Sequence, residues 1–480
     1  MISKKLLFII LFLGIILLTA FIFKQKLPFV EYLFREKTIS CLSYNDLVKL
    51  ATRSSPGKYL NFKLRKQLDN PYLINKNQGV KNNKFKNQYL RLAQWNIERG
   101  KNLNAIKSVL CADGKLSRDF EKEVRDIRNS DIITLNEVDI GMPRTNYKNV
   151  ISEIADALNY NYAFSTEFVE LGPIFYKQKV DPARFLGLHG NAIISKYPIV
   201  SARVIRLPEC YKWYESEVSK KSPLEHGRRF GAKTIFNIDI FGEPRRGGRN
   251  ALVANIKLPS SEIITIVSAH LEDKCYPSCR LKQMKYLLEN LKYIKRPVVI
   301  AGDFNTTTTD TAPASVKKEI GKRIKDPHFI ARQFALALIP GLQFGVGNIV
   351  SGIVGGALHY KDPTALSIPV LFPNQERELF LYLKDFKFGD GESFDFSGDM
   401  SSNGKSGFLA NSNERQLKGF ESTFRFEKPH GIGYFKLDWF FVKPKGKRFQ
   451  PFNGQTLKLV NETFGNRISD HDPICVDLSF

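Results

Sequence analysis

The 480-residue chain carries 72 Lys and Arg against 48 Asp and Glu, a net charge of +24 that points to polyanionic partners such as nucleic acid, anionic headgroups or phosphorylated substrates. The basic residues are spread out and not gathered in one block, so a solvated basic surface accounts for part of that charge. Six cysteines exclude a disulfide-built scaffold, and the length suits one large α/β domain with extensions, or two or three average domains.

Met1–Lys5 is short and basic, and Leu6–Phe23 is an unbroken apolar run long enough to span a bilayer. A cleavable signal needs small residues before the cut, and Leu18 ahead of Ala20 fits poorly. The run reads as an uncleaved anchor with the bulk of the protein outside the cytoplasm; Lys24 and Lys26 blunt the charge argument for that orientation. Residues 24–89 read as a juxtamembrane extension with one short helix around Tyr44–Thr52. The tract NKNQGVKNNKFKNQ then has little to bury and reads as a linker.

From Leu90 to Phe480 short apolar strands alternate with helical or loop segments, the pattern of an α/β domain. LRLAQWN ends at Asn96, and a helical stretch over Leu110–Asn129 leads into DIITLNE, which ends at Glu137. HGNAIISKYPI carries Asn191 and turns at Tyr197–Pro198. ALVANIKL and IITIVSAHL read as a hairpin pair whose second strand ends at His270. A helix over Lys282–Tyr293 leads to RPVVIAGDFN. There Val298–Ala301 reads as a fully buried strand ended by Gly302, and in an extended chain Asp303 and Asn305 project to one side while Phe304 enters a core. A turn in which Asp and Asn bond their own backbone is the alternative.

Residues 310–433 interrupt the pattern before LDWFFVK, with Asp438, and ISDHDPICVDL, with Asp470 and His471. Within the interruption Phe334–Leu358 carries no charge. It cannot be a single crossing, because Asp303 before it and Asp438 after it must meet on one side of a membrane. It reads either as a hairpin dipping into the bilayer or, the favoured alternative, as an insertion packed on the domain. Cys275 and Cys279 are close enough for a local disulfide loop in an oxidising compartment; a zinc site lacks a second ligand pair, and Cys475 reads as a buried small hydrophobe.

Asn96, Glu137, His270, Asp303, Asn305, Asp438, Asp470 and His471 thus sit at or beside strand ends. Each alone fits a cap, a satisfied histidine or a surface ion pair. Together they supply oxygen ligands for a hard divalent cation and imidazoles for acid–base work on a phosphate. After Glu137, Arg144 is a candidate phosphate fork, whereas the cluster Arg245, Arg246 and Arg249 reads at least as well as a solvated basic turn.

The segments QWNIERG, LNEVD, GNAIISKYPI, SAHLE, GDFN, LDWFFV and SDHDP, in that order, resemble the endonuclease/exonuclease/phosphatase superfamily, the deoxyribonuclease I-like proteins. The resemblance covers roughly Leu90–Thr309 and Lys436–Phe480. It implies a four-layered α/β sandwich of two mostly antiparallel sheets. It implies Mg²⁺, with Mn²⁺ as a substitute, held by Glu137 with Asn96 and Asp470. Asp303 would orient or deprotonate water, Asn305 and Asn191 would meet the substrate phosphate, Asp438 would orient His471, and His270 would protonate the leaving alkoxide. The reaction implied is phosphoester hydrolysis, foremost by a nuclease-type phosphodiesterase outside the cytoplasm. A lipid-headgroup hydrolase, sphingomyelinase-like or phosphoinositide phosphatase-like, is the alternative, and a non-catalytic binding protein the third.

Overall fold

The computed structural model describes residues 39–76, 89–111, 118–218, 243–306, 376–395, 423–426 and 433–480. The anchor run Leu6–Phe23, most of the Asn/Lys-rich tract and the uncharged stretch Phe334–Leu358 lie outside the described residues. Among the described residues no helix is long and apolar enough to cross a membrane.

In chain order the strands are β1 (Tyr72–Ile74), β2 (Tyr89–Arg99), β3 (Ile132–Ile140), β4 (Asn161–Glu170) and β5 (Leu188–Ser195). There follow β6 (Ile199–Arg206), β7 (Arg245–Gly247), β8 (Asn250–Lys257), β9 (Ile263–His270) and β10 (Val298–Asp303). The last are β11 (Phe424–Phe426), β12 (Gly433–Phe435), β13 (Asp438–Lys443), β14 (Pro451–Thr456) and β15 (Ile474–Ser479). One sheet runs β1-β4-β5-β3-β2-β15-β14, with β7 also on β4; the second runs β13-β10-β9-β8-β6. Most neighbours are antiparallel, with β2–β3 and β9–β10 parallel. The β8–β9 pairing is the expected hairpin.

The two sheets face each other, and strand parity decides what lies between them. Leu90, Leu92, Ile132, Ala163 and Ile193 of the first sheet meet Leu252, Ala254, Ile266, Val299, Ala301, Phe440 and Val442 of the second in one core. The alternate residues of the second sheet, among them Val267, Val298, Ile300, Trp439 and Phe441, pack outward on the helices Pro277–Leu291 and Arg377–Asp385. Helix Val150–Leu158 covers β3 and β4 from the other side, next to Leu103–Cys111. The result is a mixed α/β fold of two sheets between helices, the deoxyribonuclease I-like arrangement.

Three sequence readings change. Much of the segment expected as an extension belongs to the domain: β1 pairs with β4, and Gln67 of helix Lys58–Asp69 donates to Thr166 Oγ1 at 3.0 Å. The local Cys275–Cys279 loop does not form, because Cys279 is bonded to Cys210, 69 residues back, with Cα atoms 6.0 Å apart. Cys279 lies in the first turn of its helix, on the face where Gln283, one turn on, donates to Pro208 O at 2.9 Å; that face meets the segment of Cys210. Cys275 instead places its Sγ 3.3 Å from Glu272 O. Finally, Arg245, Arg246 and Arg249 are buried and not a solvated turn. The Arg245 guanidinium lies 3.3 Å from the Trp213 ring centroid and that of Arg246 3.2 Å from Tyr214, so aromatic faces replace water around them.

Candidate active site

Following each inward-facing stripe to its strand end explains the site. Leu90 and Leu92 are succeeded on the same face by Gln94 and Asn96; Ile132 by Thr134 and Asn136; Val299 and Ala301 by Asp303; Val442 and Phe440, read backwards, by Asp438; Ile264 and Ile266 by Ser268 and His270. The space between the sheets is therefore apolar at one end and polar at the other. Register fixes the meeting point: Asp303 stands opposite His270 on one side and Asp438 on the other.

Asp303 is the hub. Its Oδ2 accepts from Asn96 Nδ2 at 2.9 Å, and the same oxygen lies 3.6 Å from His270 Nε2 and 3.7 Å from His471 Nε2. Its backbone N–H donates to Asn136 Oδ1 at 2.9 Å. Gly302 has φ +154 and carries no side chain because a Cβ there would meet Ala269 O of β9 at 1.7 Å, so only glycine lets the strand approach its neighbour here. Burial foremost, with Asp438 adding, raises the Asp303 carboxyl above its ordinary range against the opposing pull of His471 and His270.

Each imidazole has a carboxylate behind it. His471 Nδ1 lies 2.7 Å from Asp438 Oδ2. Burial works against the charged imidazole, but Asp438 and Asp303 outweigh it and hold His471 up at about 10. The SDHDP turn is fixed by Trp95 Nε1 donating to His471 O at 2.8 Å and by Asn461 Nδ2 donating to Asp472 Oδ1 at 2.8 Å. On the other side His270 Nδ1 lies 3.2 Å from Glu167 Oε2 and 2.8 Å from Arg249 Nη1. Arg249 is itself clamped, donating to Glu167 Oε2 at 3.2 Å and to Asp273 Oδ1 at 2.8 Å.

Asn305 departs from the same-side expectation. At φ +52 it leaves the extended conformation, so the two-residue parity stops at Asp303. Its N–H donates to Asp303 Oδ1 at 2.9 Å, closing the local turn, and its Nδ2 donates to Leu271 O at 3.0 Å. Phe304 does enter the core, stacked on Phe441 with centroids 5.7 Å apart. Asn191 lies in the interior, accepting from Asn136 Nδ2 at 2.7 Å and donating to Asn250 Oδ1 at 3.0 Å. Arg144 follows Glu137 by a short turn and grips Asp139, with Nη2 2.9 Å from Oδ1, while His189 Nδ1 lies 2.8 Å from that same oxygen. All three residues expected to meet substrate, Asn191, Asn305 and Arg144, thus have partners within the protein.

Glu137 and Asp470, like Arg144, are only partly buried, whereas the other candidate residues are buried. Glu137 sits on a bulge in β3 at φ +55, which turns it out of the parity that keeps Asn136 inside. Arg99 Nε lies 3.8 Å from its Oε2. Desolvation pushes Asp470 up to about 6, and the carboxylates of Glu98 and Glu137 add to it against the pull of His471. Among the described residues no group of three or more His, Cys, Asp or Glu side chains is gathered to hold a metal ion. Two mutually repelling carboxylates with the amide oxygen of Asn96 are nonetheless the donor chemistry that suits a hard cation retaining several waters.

Sequence reasoning missed Gln94, Asn136, Glu167 and Asn250, and placed Arg249 in a solvated turn rather than behind His270. Parity could have found Asn136, two residues beyond Thr134 on the inward face of β3. Glu167 lies in AFSTEFVE, whose mixed composition hid a fully buried strand.

The Endonuclease/Exonuclease/phosphatase family profile matches residues 93–471. No curated protein sequence matches the chain. Similar solved structures include an endonuclease/exonuclease/phosphatase from Beutenbergia cavernae, 14% identical at TM-score 0.38, with 82% of this chain and 72% of that one covered. The human Nocturnin catalytic domain with bound sulfate is 13% identical at TM-score 0.39, covering 86% and 97%. The 3'-5' exonuclease NExo from Neisseria meningitidis is 11% identical at TM-score 0.40, covering 82% and 100%. Likenesses this distant carry nothing about chemistry, and the family rests on the profile match that spans the site from the strand of Asn96 to His471. The chain belongs to the endonuclease/exonuclease/phosphatase family, whose members hydrolyse phosphoesters.

Proposed function

We propose that the protein is a Mg²⁺-dependent phosphodiesterase of nuclease type, anchored by Leu6–Phe23 with its catalytic domain outside the cytoplasm. The observation that supports this best is one Asp303 oxygen facing two imidazole nitrogens at 3.6 and 3.7 Å, each imidazole backed by a buried carboxylate. Asp303, held by Asn96, is placed to orient a water and accept its proton. His471, kept protonated by Asp438, donates from Nε2 to a nonbridging phosphate oxygen, while His270, backed by Glu167, hands a proton to the leaving alkoxide. Glu137, Asp470 and Asn96 would hold Mg²⁺, with Mn²⁺ as a substitute, and the bound ion would neutralise charge growing on the phosphate. The net charge of +24 and a disulfide suited to an oxidising compartment favour a polyanionic substrate outside the cytoplasm.

A lipid-headgroup hydrolase is the second reading, favoured by the apolar run at Leu6–Phe23 and the uncharged stretch Phe334–Leu358. The full chain with Mg²⁺ is to be assayed on plasmid DNA, RNA, sphingomyelin vesicles, phosphoinositide vesicles and a simple monoester. Cleavage of DNA or RNA is the expected result; cleavage of vesicle lipid with both nucleic acids intact would reverse the order of the two readings.

A further inference from the structure

Helix Lys58–Asp69 turns Leu60, Leu64, Gln67 and Leu68 inward and leaves two large rings outside, Tyr59 71% and Phe62 64% exposed. Three positions apart, the rings are neighbours on one helix face. Lys58, Arg65 and Lys66 are exposed around them, and the only acid of the helix, Asp69, is its last residue. Rings that hydration disfavours, interleaved with bases, match the boundary of a bilayer. There aromatic rings bury among the headgroups and basic side chains meet anionic phosphates.

The chain itself says which partner is at hand. Lys63 Nζ lies 2.7 Å from Asp46 Oδ2, which ties this helix to the preceding one, Tyr44–Thr52, capped by Ser43. In sequence, residues 24–43 alone separate that first helix from the apolar run. The aromatic face is thus carried by the second helix after that segment in chain order.

We propose that the Tyr59–Phe62 face, with Lys58, Arg65 and Lys66, seats the domain on an anionic lipid surface; this rests on the reading of Leu6–Phe23 as membrane-embedded. Gln67 donates to Thr166, next in the chain to the Glu167 that backs His270. Tyr59 is about 12 Å along the helix axis from Gln67. Seating the helix would hold the His270 side of the site near the lipid phosphates.

The test uses the full chain reconstituted in vesicles of acyl-brominated phosphatidylcholine, with and without phosphatidylglycerol. Phe62→Trp is compared with Tyr293→Trp, a ring 80% exposed beyond helix Pro277–Leu291, against the constant background of the three native Trp. With phosphatidylglycerol present, quenching at Phe62→Trp is expected to exceed that at Tyr293→Trp by roughly twofold or more, and the excess is expected to disappear in Arg65→Glu/Lys66→Glu. Equal quenching at the two positions overturns the proposal, as does an excess indifferent to phosphatidylglycerol. Phe21→Trp reports the anchor separately. If it is unquenched while Phe62→Trp is quenched, the surface stands without the anchor; if both are unquenched, both fall.

Discussion

Asn96 and Asp303, 207 residues apart in the chain, are joined by a 2.9 Å hydrogen bond from Nδ2 to Oδ2 that links the two sheets at the centre of the site. The same Asp303 oxygen also faces both imidazoles. Without that hydrogen bond the carboxylate keeps the Asn305 N–H on Oδ1 but loses the donor that fixes Oδ2 between the imidazoles. Asn96→Ala is expected to lower kcat by about 10²-fold with little change in melting temperature, and Asn96→Asp, which sets a like charge against Asp303, by more. Steady-state hydrolysis beside a thermal melt separates that outcome from simple unfolding.

Glu167 links the site to acid stability. Burial raises its carboxyl, but His270 and Arg249 outweigh burial and hold it down at about 2, against an ordinary 4.5. A depressed folded-state value means the contribution is complete above about 4.5 and is lost as pH falls toward 2. That contribution is on the order of 3 kcal/mol. The difference in melting temperature between wild type and Glu167→Gln should be constant above pH 5 and shrink below it. A difference that grows on acidification contradicts the assignment.

Arg249 is buried with Glu167, Glu272 and Asp273 around it. Deleting the cation strands carboxylates in the interior, so Arg249→Met is expected to destabilise the fold by about 3–5 kcal/mol. Arg249→Lys should recover only part of this, since an ammonium cannot reach Glu167 and Asp273 as a fork. Chemical denaturation of the three proteins measures it.

The Cys210–Cys279 bond closes a loop of 69 residues, for which chain entropy predicts about 4 kcal/mol of stabilisation. Peptide mapping without reductant should recover Cys210 linked to Cys279, and Cys210→Ser should lower the melting temperature while Cys275→Ser leaves it nearly unchanged. A Cys275–Cys279 peptide would contradict the structure.

Much of the site was legible because two-residue parity and strand ends are local properties. Asn96, His270, Asp303, Asp438 and His471 each continue or adjoin an apolar stripe, and the sheets bring those stripes to one place. What was not legible depended on partners distant in the chain. Cys279 has Cys275 four residues away, yet the helix face it occupies is set by contacts near Pro208. Arg245, Arg246 and Arg249 look like a solvated run until Phe168, Trp213, Tyr214 and Glu167 surround them. Asn305 leaves the expected side because the chain takes a left-handed conformation at Asn305 itself, two residues past the strand, and that leaves no mark in an Asp-Phe-Asn sequence.

The carboxylate of Asp303 is the group on which the proposed chemistry turns, and its conversion to an amide of equal size is the most direct trial. On whichever phosphoester the full chain cleaves with Mg²⁺, Asp303→Asn is expected to reduce kcat by about 10³-fold while the protein melts as a folded domain. A folded Asp303→Asn variant that turns over at the wild-type rate would contradict the account.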